Sequence, residues 1–87
     1  MIQANLFGDK ASERAADVGR ELVQELHAFA RHRGVPRPTI AVWGVHMYGN
    51  AFTVDLSIDG KRLAVVNRTD VGAAARDLWE QFDGSAR

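Results

Sequence analysis

The sequence predicts an α+β domain of order (β)αβββα, with two helices packed on one face of an antiparallel sheet. Two segments repeat apolar residues at intervals of three and four, as amphipathic helices do, and the stretch between them alternates apolar and polar residues, as half-buried strands do. Two pairs, Gly49-Asn50 and Asp59-Gly60, divide that stretch and favour two-residue hairpin turns. Each helix has a single apolar stripe, so we expect both helices to cover the more apolar face of the sheet.

The first helix is predicted to run from Asp9, a typical N-cap residue, to Gly34, which suits a left-handed stop. Its apolar stripe consists of Ala11, Ala15, Val18, Leu22, Leu26 and Phe29. Upstream of it, Ile2, Ala4 and Leu6 alternate with polar residues. This alternation predicts a short N-terminal strand, which the first helix would join to the hairpins.

The turn pairs predict the register of the strands. A turn at Gly49-Asn50 pairs Tyr48 with Ala51, and counting outward gives four apolar pairs on one face: Met47 with Phe52, Val45 with Val54, Trp43 with Leu56 and Ala41 with Ile58. A turn at Asp59-Gly60 extends the same face onto a third strand: Ile58 with Lys61, Leu56 with Leu63 and Val54 with Val65. We therefore expect Trp43, Met47 and Phe52 to lie in the core rather than in an aromatic ligand site.

The second helix is predicted to begin at a cap formed by Thr69 or Asp70 and to stop at Gly84. Its apolar stripe consists of Val71, Ala75, Leu78 and Phe82. Both helices then cover the same face of the sheet, and no helix remains to cover the other face, which we call the open face. That face is predicted to present Ile40, Val42, His46, Tyr48, Asp55, Arg62, Ala64 and Val66.

The composition narrows the function classes. The 87 residues predict one domain, 1–87, and the 11 basic and 11 acidic side chains cancel, which disfavours nucleic acid as the partner. The chain has no cysteine, which excludes thiolate zinc sites and disulfides. No basic segment precedes a long apolar run, and no stretch approaches the ~20 apolar residues of a membrane span. We expect a cytoplasmic protein without membrane contact.

The sequence predicts no catalytic residue, no metal ligand and no cofactor. His27 and His32 stand five residues apart, which does not match the i, i+4 pair of helical zinc sites. His46 has Thr53 opposite and Asp55 diagonal to it, which would suit a general base, but no nucleophile or oxyanion motif accompanies it. No glycine-rich phosphate-binding loop is present either. We therefore expect a protein that is not an enzyme.

One basic cluster, Arg31, Arg33 and Arg37, surrounds the end of the first helix. These residues have two interpretations, which both stay open. Cations at a helix C-terminus interact favourably with the helix dipole, and they also suit a contact with an acidic or phosphate group.

Two resemblances suggest nucleic-acid partners. Three strands between two helices is the order of double-stranded-RNA-binding domains. With an N-terminal strand, the order resembles that of short ribosome hibernation factors, and "DGKRLAVVNRTDVGAAARDLWEQF" is similar to their last strand and helix. This resemblance implies a ribosome- or RNA-binding protein, and for such a function we expect the partner to be bound by Arg31, Arg33, Arg37 and Arg68.

A further resemblance is to small phage-encoded anti-CRISPR proteins. The chain resembles a type I-F inhibitor in "RPTI" at 37–40, "DGK" at 59–61 and "DVGAAA" at 70–75, in the same order and at similar spacing. The resemblance implies a non-enzymatic inhibitor, active in the host cytoplasm, that occludes a surface of a CRISPR-Cas type I complex. It covers roughly the last fifty residues.

Together these observations predict a protein-binding module of the phage inhibitor kind. The partner-binding residues are expected on the open sheet face, at Val42, Tyr48, Asp55, Arg62 and Val66, with Arg31, Arg33 and Arg37 as a second patch. A homodimer through the open face, as in a self-associating structural protein, is the third alternative.

Overall fold

The computed structural model describes the backbone of residues 4–84 and the side chains of residues 13–84. Its elements are α1 (Ala4–His32), β1 (Ile40–Tyr48), β2 (Ala51–Ile58), β3 (Lys61–Arg68) and α2 (Val71–Gly84). The strands form one antiparallel sheet in the order β1-β2-β3. The α1 helix packs against β1 and α2 packs against β3, and the two helices contact each other. The predicted α+β class, with two helices on one face of an antiparallel sheet, is confirmed.

The N-terminal strand is a wrong prediction, because α1 already begins at Ala4 and includes Leu6. Ile2 lies outside the described residues. The prediction of Asp9 as N-cap is also wrong, since this residue lies inside the 29-residue helix. Three alternating positions are too few to separate a period of two from a period of 3.6, and extending a formed helix costs far less than starting a new one.

The predicted helix ends at Gly34 and Asp70 are confirmed. Gly34 adopts a φ of 70°, and its N–H donates to the carbonyl of Arg31 at 3.1 Å. The N–H of Val35 donates to the carbonyl of Ala30 at 3.0 Å, which completes a Schellman motif. At the start of α2, Asp70 Oδ1 accepts a hydrogen bond from the N–H of Gly72 at 3.2 Å. The carbonyls of Ala30 and Arg31 and the amide of Gly72 are thus satisfied locally.

The core lies between the helices and the sheet. Its largest aromatic side chain is Trp79, which is only 3% exposed. The Trp79 ring stacks on Phe29 with centroids 6.2 Å apart and meets Phe82 at 5.5 Å. The other buried apolar residues are Val18, Leu22, Leu26, Ala30, Phe52, Val54, Leu56, Ile58, Leu63, Val65, Ala74, Ala75 and Leu78.

The register next to both turns matches the prediction. Gly49 has a φ of 63°, and Asp59 and Gly60 have φ values of 51° and 86°, as the primed hairpin turns require. The confirmed pairs are Tyr48 with Ala51, Met47 with Phe52, Val45 with Val54, Ile58 with Lys61, Leu56 with Leu63 and Val54 with Val65.

A β-bulge in β1 overturns the register further from the turn. Val42 pairs with Leu56 and Gly44 pairs with Asp55, so Trp43 is one extra residue between them. The predicted pairing of Trp43 with Leu56, and its place in the core, are therefore wrong. Because side chains alternate between the two faces, one inserted residue exchanges the faces of everything beyond it.

Because of the same bulge, Val42 and Ile40 lie on the helix side of the sheet. Their predicted positions on the open face are therefore wrong. A Cβ atom placed on Gly19 of α1 would lie 3.8 Å from Val42 Cγ1. Ile40 pairs with Ile58 and packs against the core, and the predicted pairing of Ala41 with Ile58 is wrong for the same reason.

A second irregularity lies near the end of β3. Phe52 pairs with Arg68, and Asn67 adopts a φ of 58° while its N–H donates to Thr53 Oγ1 at 3.1 Å. Asparagine tolerates this left-handed conformation better than most residues. The extra residue places Arg68 on the helix side, where it forms an ion pair with Asp77 of α2.

Candidate protein-binding surface

The open face is the side of the sheet that the helices leave uncovered. Three large apolar side chains are exposed there: Trp43 is 59%, Tyr48 65% and Val66 66% exposed. The remaining side chains of the open face are Ala41, His46, Ala51, Thr53, Asp55, Ser57, Arg62 and Ala64. Apolar side chains this exposed are ordinary when they stand singly, but grouped on one sheet face they suggest a contact surface.

The bulge in β1 brings Trp43 to this face, where it meets Arg62. The guanidinium carbon of Arg62 lies 4.8 Å from the centroid of the Trp43 ring, which is within the range of a cation–π interaction. Arg62 also donates two hydrogen bonds to Asp55, from Nη2 to Oδ2 at 2.6 Å and from Nε to Oδ1 at 3.3 Å. One guanidinium thus joins a tryptophan of β1 to a carboxylate of β2.

The pKa of Arg62 is raised above its ordinary value, mainly by the hydrogen bond to Asp55. The guanidinium therefore carries its charge at every pH at which the protein is folded. Because both side chains are exposed, their ion pair adds little to the free energy of unfolding. Its effect is geometric, since two parallel bonds and one ring contact favour one orientation of the arginine.

Ser57 lies beneath this layer. It pairs with Ala41 on one side and Arg62 on the other, and it is only 6% exposed although it belongs to the open face. The surrounding side chains therefore cover the centre of the sheet at this end.

Asp55 and Thr53, the polar neighbours predicted for His46, form their hydrogen bonds with other residues. Asp55 accepts its two hydrogen bonds from Arg62, and the hydroxyl oxygen of Thr53 accepts from the N–H of Asn67. The carboxylate and the hydroxyl that would have assisted a general base are thus bonded to β3. His46 itself is exposed.

Of the residues predicted for the open face, the structure places Tyr48, Asp55, Arg62 and Val66 on that face and Val42 on the other. Val42 lines an apolar groove of about 550 Å³ between α1 and β1. Sequence reasoning missed Trp43. The signal that points to it is Gly44, because a glycine inside a strand often marks a bulge.

The basic cluster lies outside the open face and is divided. Arg33 Nη1 lies 3.3 Å from Asp83 Oδ2 and so links the ends of the two helices. Arg31 and Arg37 line a separate cleft together with His27.

In the part of the chain that the structure describes, no three His, Cys, Asp or Glu side chains come together as metal ligands would. No helix among the described residues has both the length and the apolar character that crossing a bilayer requires. Comparisons with protein-family models, curated proteins and solved structures find no match for this chain.

Proposed function

We propose that this protein is a non-enzymatic module that docks another protein on its open face. The observation that supports this most strongly is the exposure of Trp43, Tyr48 and Val66 on one sheet face, where Arg62 contacts the Trp43 ring. Tryptophan, tyrosine and arginine are the residues most enriched in binding hot spots.

The arrangement is also preorganised for binding. Arg62 already contacts Asp55 and the Trp43 ring before any partner arrives, so docking costs less of its side-chain freedom than it would for an unpaired arginine. The strands beneath are fixed by pairing on both sides of β2 and by the core on the helix side. A rigid surface of this kind favours tight contact over chemistry that needs mobile groups.

The hydrogen bonds around His46 favour binding over catalysis. Asp55 and Thr53 are both engaged in bonds to β3, so neither orients the His46 ring in the way a general base needs. We therefore assign no catalytic residue.

The charge distribution favours a protein partner over a nucleic acid. Four arginines, Arg20, Arg33, Arg62 and Arg68, each form an ion pair with an aspartate of the same chain. Phosphate-backbone binding needs unneutralised cations along a surface, and these pairs neutralise four of the nine lysine and arginine side chains that the structure describes.

The runner-up, a ribosome or RNA binder, has less support. The first element of the described residues is the helix α1, which begins at Ala4, whereas ribosome hibernation factors begin with a strand. The helix–strand–strand–strand–helix order of double-stranded-RNA-binding domains remains, but the start of α2 carries Asp70 as its cap, and nearby Arg68 is paired with Asp77.

For the partner, we propose a subunit of a bacterial CRISPR-Cas type I complex, which the protein would inhibit by occlusion. The support is the resemblance of "RPTI", "DGK" and "DVGAAA" to a phage-encoded type I-F inhibitor. Of these segments, 59–61 forms the turn that begins β3, the strand that presents Arg62 and Val66.

The test is binding to a purified type I-F surveillance complex, followed by gel filtration, with Val66→Glu as the variant. Val66 is exposed, so the fold should persist, whereas a carboxylate desolvated without a partner should weaken docking more than about tenfold. The matched control is Ala73→Glu, which adds the same charge at an exposed position of α2.

We expect wild type and Ala73→Glu to bind and Val66→Glu to lose binding. Equal binding by all three would show that the open face is not the contact surface. Sedimentation of the free proteins tests the third alternative, because a dimer that Val66→Glu dissociates would make the open face a self-association surface. Steeply salt-dependent binding to double-stranded RNA would instead favour the runner-up.

A further inference from the structure

We infer that the cleft at the C-terminal end of α1 binds the phosphate group of a phosphate monoester. The cleft has a volume of about 200 Å³ and lies between the last turns of α1 and the linker to β1. It is lined by His27, Ala30, Arg31, Val35 and Arg37. This site is separate from the open face and does not depend on the function proposed for that face.

The first observation is that the arginines of the cleft have no acidic partner among the described side chains. Of the eight arginines whose side chains the structure describes, four pair with an aspartate, and Arg31 and Arg37 form no ion pair with a described residue, as is also true of Arg14 and Arg76. Two guanidinium groups that line one small cleft repel each other. A bound anion removes that repulsion and uses their free N–H donors.

The second observation is that three carbonyls next to the cleft already accept a hydrogen bond from another donor. The carbonyl of Ala30 accepts from the N–H of Val35, and the carbonyl of Arg31 accepts from the N–H of Gly34. The carbonyl of Pro38 lies 3.3 Å from His27 Nε2, which must carry the proton because a carbonyl only accepts. None of these bonds uses a side-chain donor of Arg31 or Arg37, so both guanidinium groups keep their N–H donors for a ligand.

The charge balance selects the kind of anion. A phosphate monoester carries about −1.5 to −2 at pH 7, which matches two guanidinium groups, whereas a carboxylate or a phosphodiester carries only one negative charge. The planar fork of arginine suits bidentate bonds to phosphate oxygens. Ala30 and Val35 supply an apolar wall for the organic part of the ester.

The test is NMR titration of the isotope-labelled protein with inorganic phosphate and glycerol phosphate, with dimethyl phosphate and acetate as comparison ligands. We expect both phosphate dianions to shift the backbone amides of residues 30–38. The diester and acetate should bind at least about tenfold more weakly. A phosphoserine peptide compared with free glycerol phosphate then shows whether the ester comes from a protein or from a small molecule.

The variants are Arg31→Gln and Arg37→Gln, each of which should weaken phosphate binding about tenfold. Both positions are exposed, and thermal unfolding by circular dichroism confirms the fold. The matched control is Arg76→Gln, which removes an exposed arginine of α2 outside the cleft and should leave binding unchanged. Val66→Glu should also bind phosphate normally, which keeps this test independent of the open face.

Three results would overturn the inference: shifts that map elsewhere, an equal loss in Arg76→Gln, or a diester that binds as tightly as the monoester. Absence of any shift with phosphate at millimolar concentration would overturn it as well.

Discussion

The two tryptophans provide a sharp test of the fold, because the bulge in β1 gives them opposite environments. Trp43 lies on the open face and is 59% exposed, whereas Trp79 lies in the core and is 3% exposed. A regular β1 strand would place both indole rings in the core. Substituting each tryptophan by alanine therefore distinguishes the bulged strand from the regular one.

The expected magnitudes follow from the buried areas. A tryptophan side chain can bury up to about 250 Å². Trp43 keeps about 100 Å² of this from water, worth at most about 2.5 kcal/mol at 25 cal/mol/Å², and an alanine together with a compact unfolded chain reduces the loss to about 1 kcal/mol. Trp79 is almost wholly buried against Phe29 and Phe82, so Trp79→Ala should cost about 3–5 kcal/mol.

The measurement is urea unfolding followed by far-UV circular dichroism for Trp43→Ala, Trp79→Ala and wild type. Single-tryptophan proteins made by Trp43→Phe and Trp79→Phe add a direct check with a fluorescence quencher. The quencher should reach the Trp43 indole and leave the Trp79 indole protected. If Trp43→Ala costs as much as Trp79→Ala, or if both rings are equally protected, the bulge is absent and the faces of β1 are reversed.

Further predictions concern the helices, each checked by thermal or urea unfolding. Gly19→Ala should stabilise the protein by about 0.5–1 kcal/mol, since a Cβ there would meet Val45 Cγ2 at an ordinary 3.7 Å and alanine favours the helix. Gly34→Ala should destabilise it by about 1 kcal/mol because the φ of 70° is strained for alanine, and a neutral result would contradict the left-handed stop. Asp70→Ala should cost about 1 kcal/mol through the lost cap of α2, while Asp70→Asn, which keeps a capping oxygen, should cost clearly less.

The features that the sequence predicts correctly are those determined by neighbouring residues. Gly49 and Gly60 place both turns, and counting outward from them gives the right partners as far as Val45 on β1 and Val65 on β3. Gly34 and Asp70 likewise mark helix ends that depend only on local hydrogen bonds. Tyr48, Asp55, Arg62 and Val66 fall on the predicted face because they lie within this correctly counted region or on β3.

The errors begin where one inserted residue changes the alternation. Counting by twos carries no information about an insertion, so it assigns every position before Trp43 on β1 to the wrong face. Gly44 is a hint of the bulge, but a glycine inside a strand also occurs where a ligand or another backbone approaches closely. The cleft site depends on how the chain after Gly34 returns past α1. Sequence proximity alone does not show which of Arg31, Arg33 and Arg37 forms an ion pair with an acidic residue. Among the described side chains, the structure pairs only Arg33 of these three, with Asp83.

The order of the elements also affects how quickly the chain reaches its fold. The strands follow one another through two-residue turns, so both hairpins form from residues close in sequence, on a timescale of about 1–10 μs. By contrast, the contact between Arg33 and Asp83 joins residues 50 positions apart and closes a much longer loop. We therefore expect the sheet to form early and the two helices to meet late. A chain rich in such local contacts folds fast, which shortens the time during which its apolar sheet side is open to aggregation.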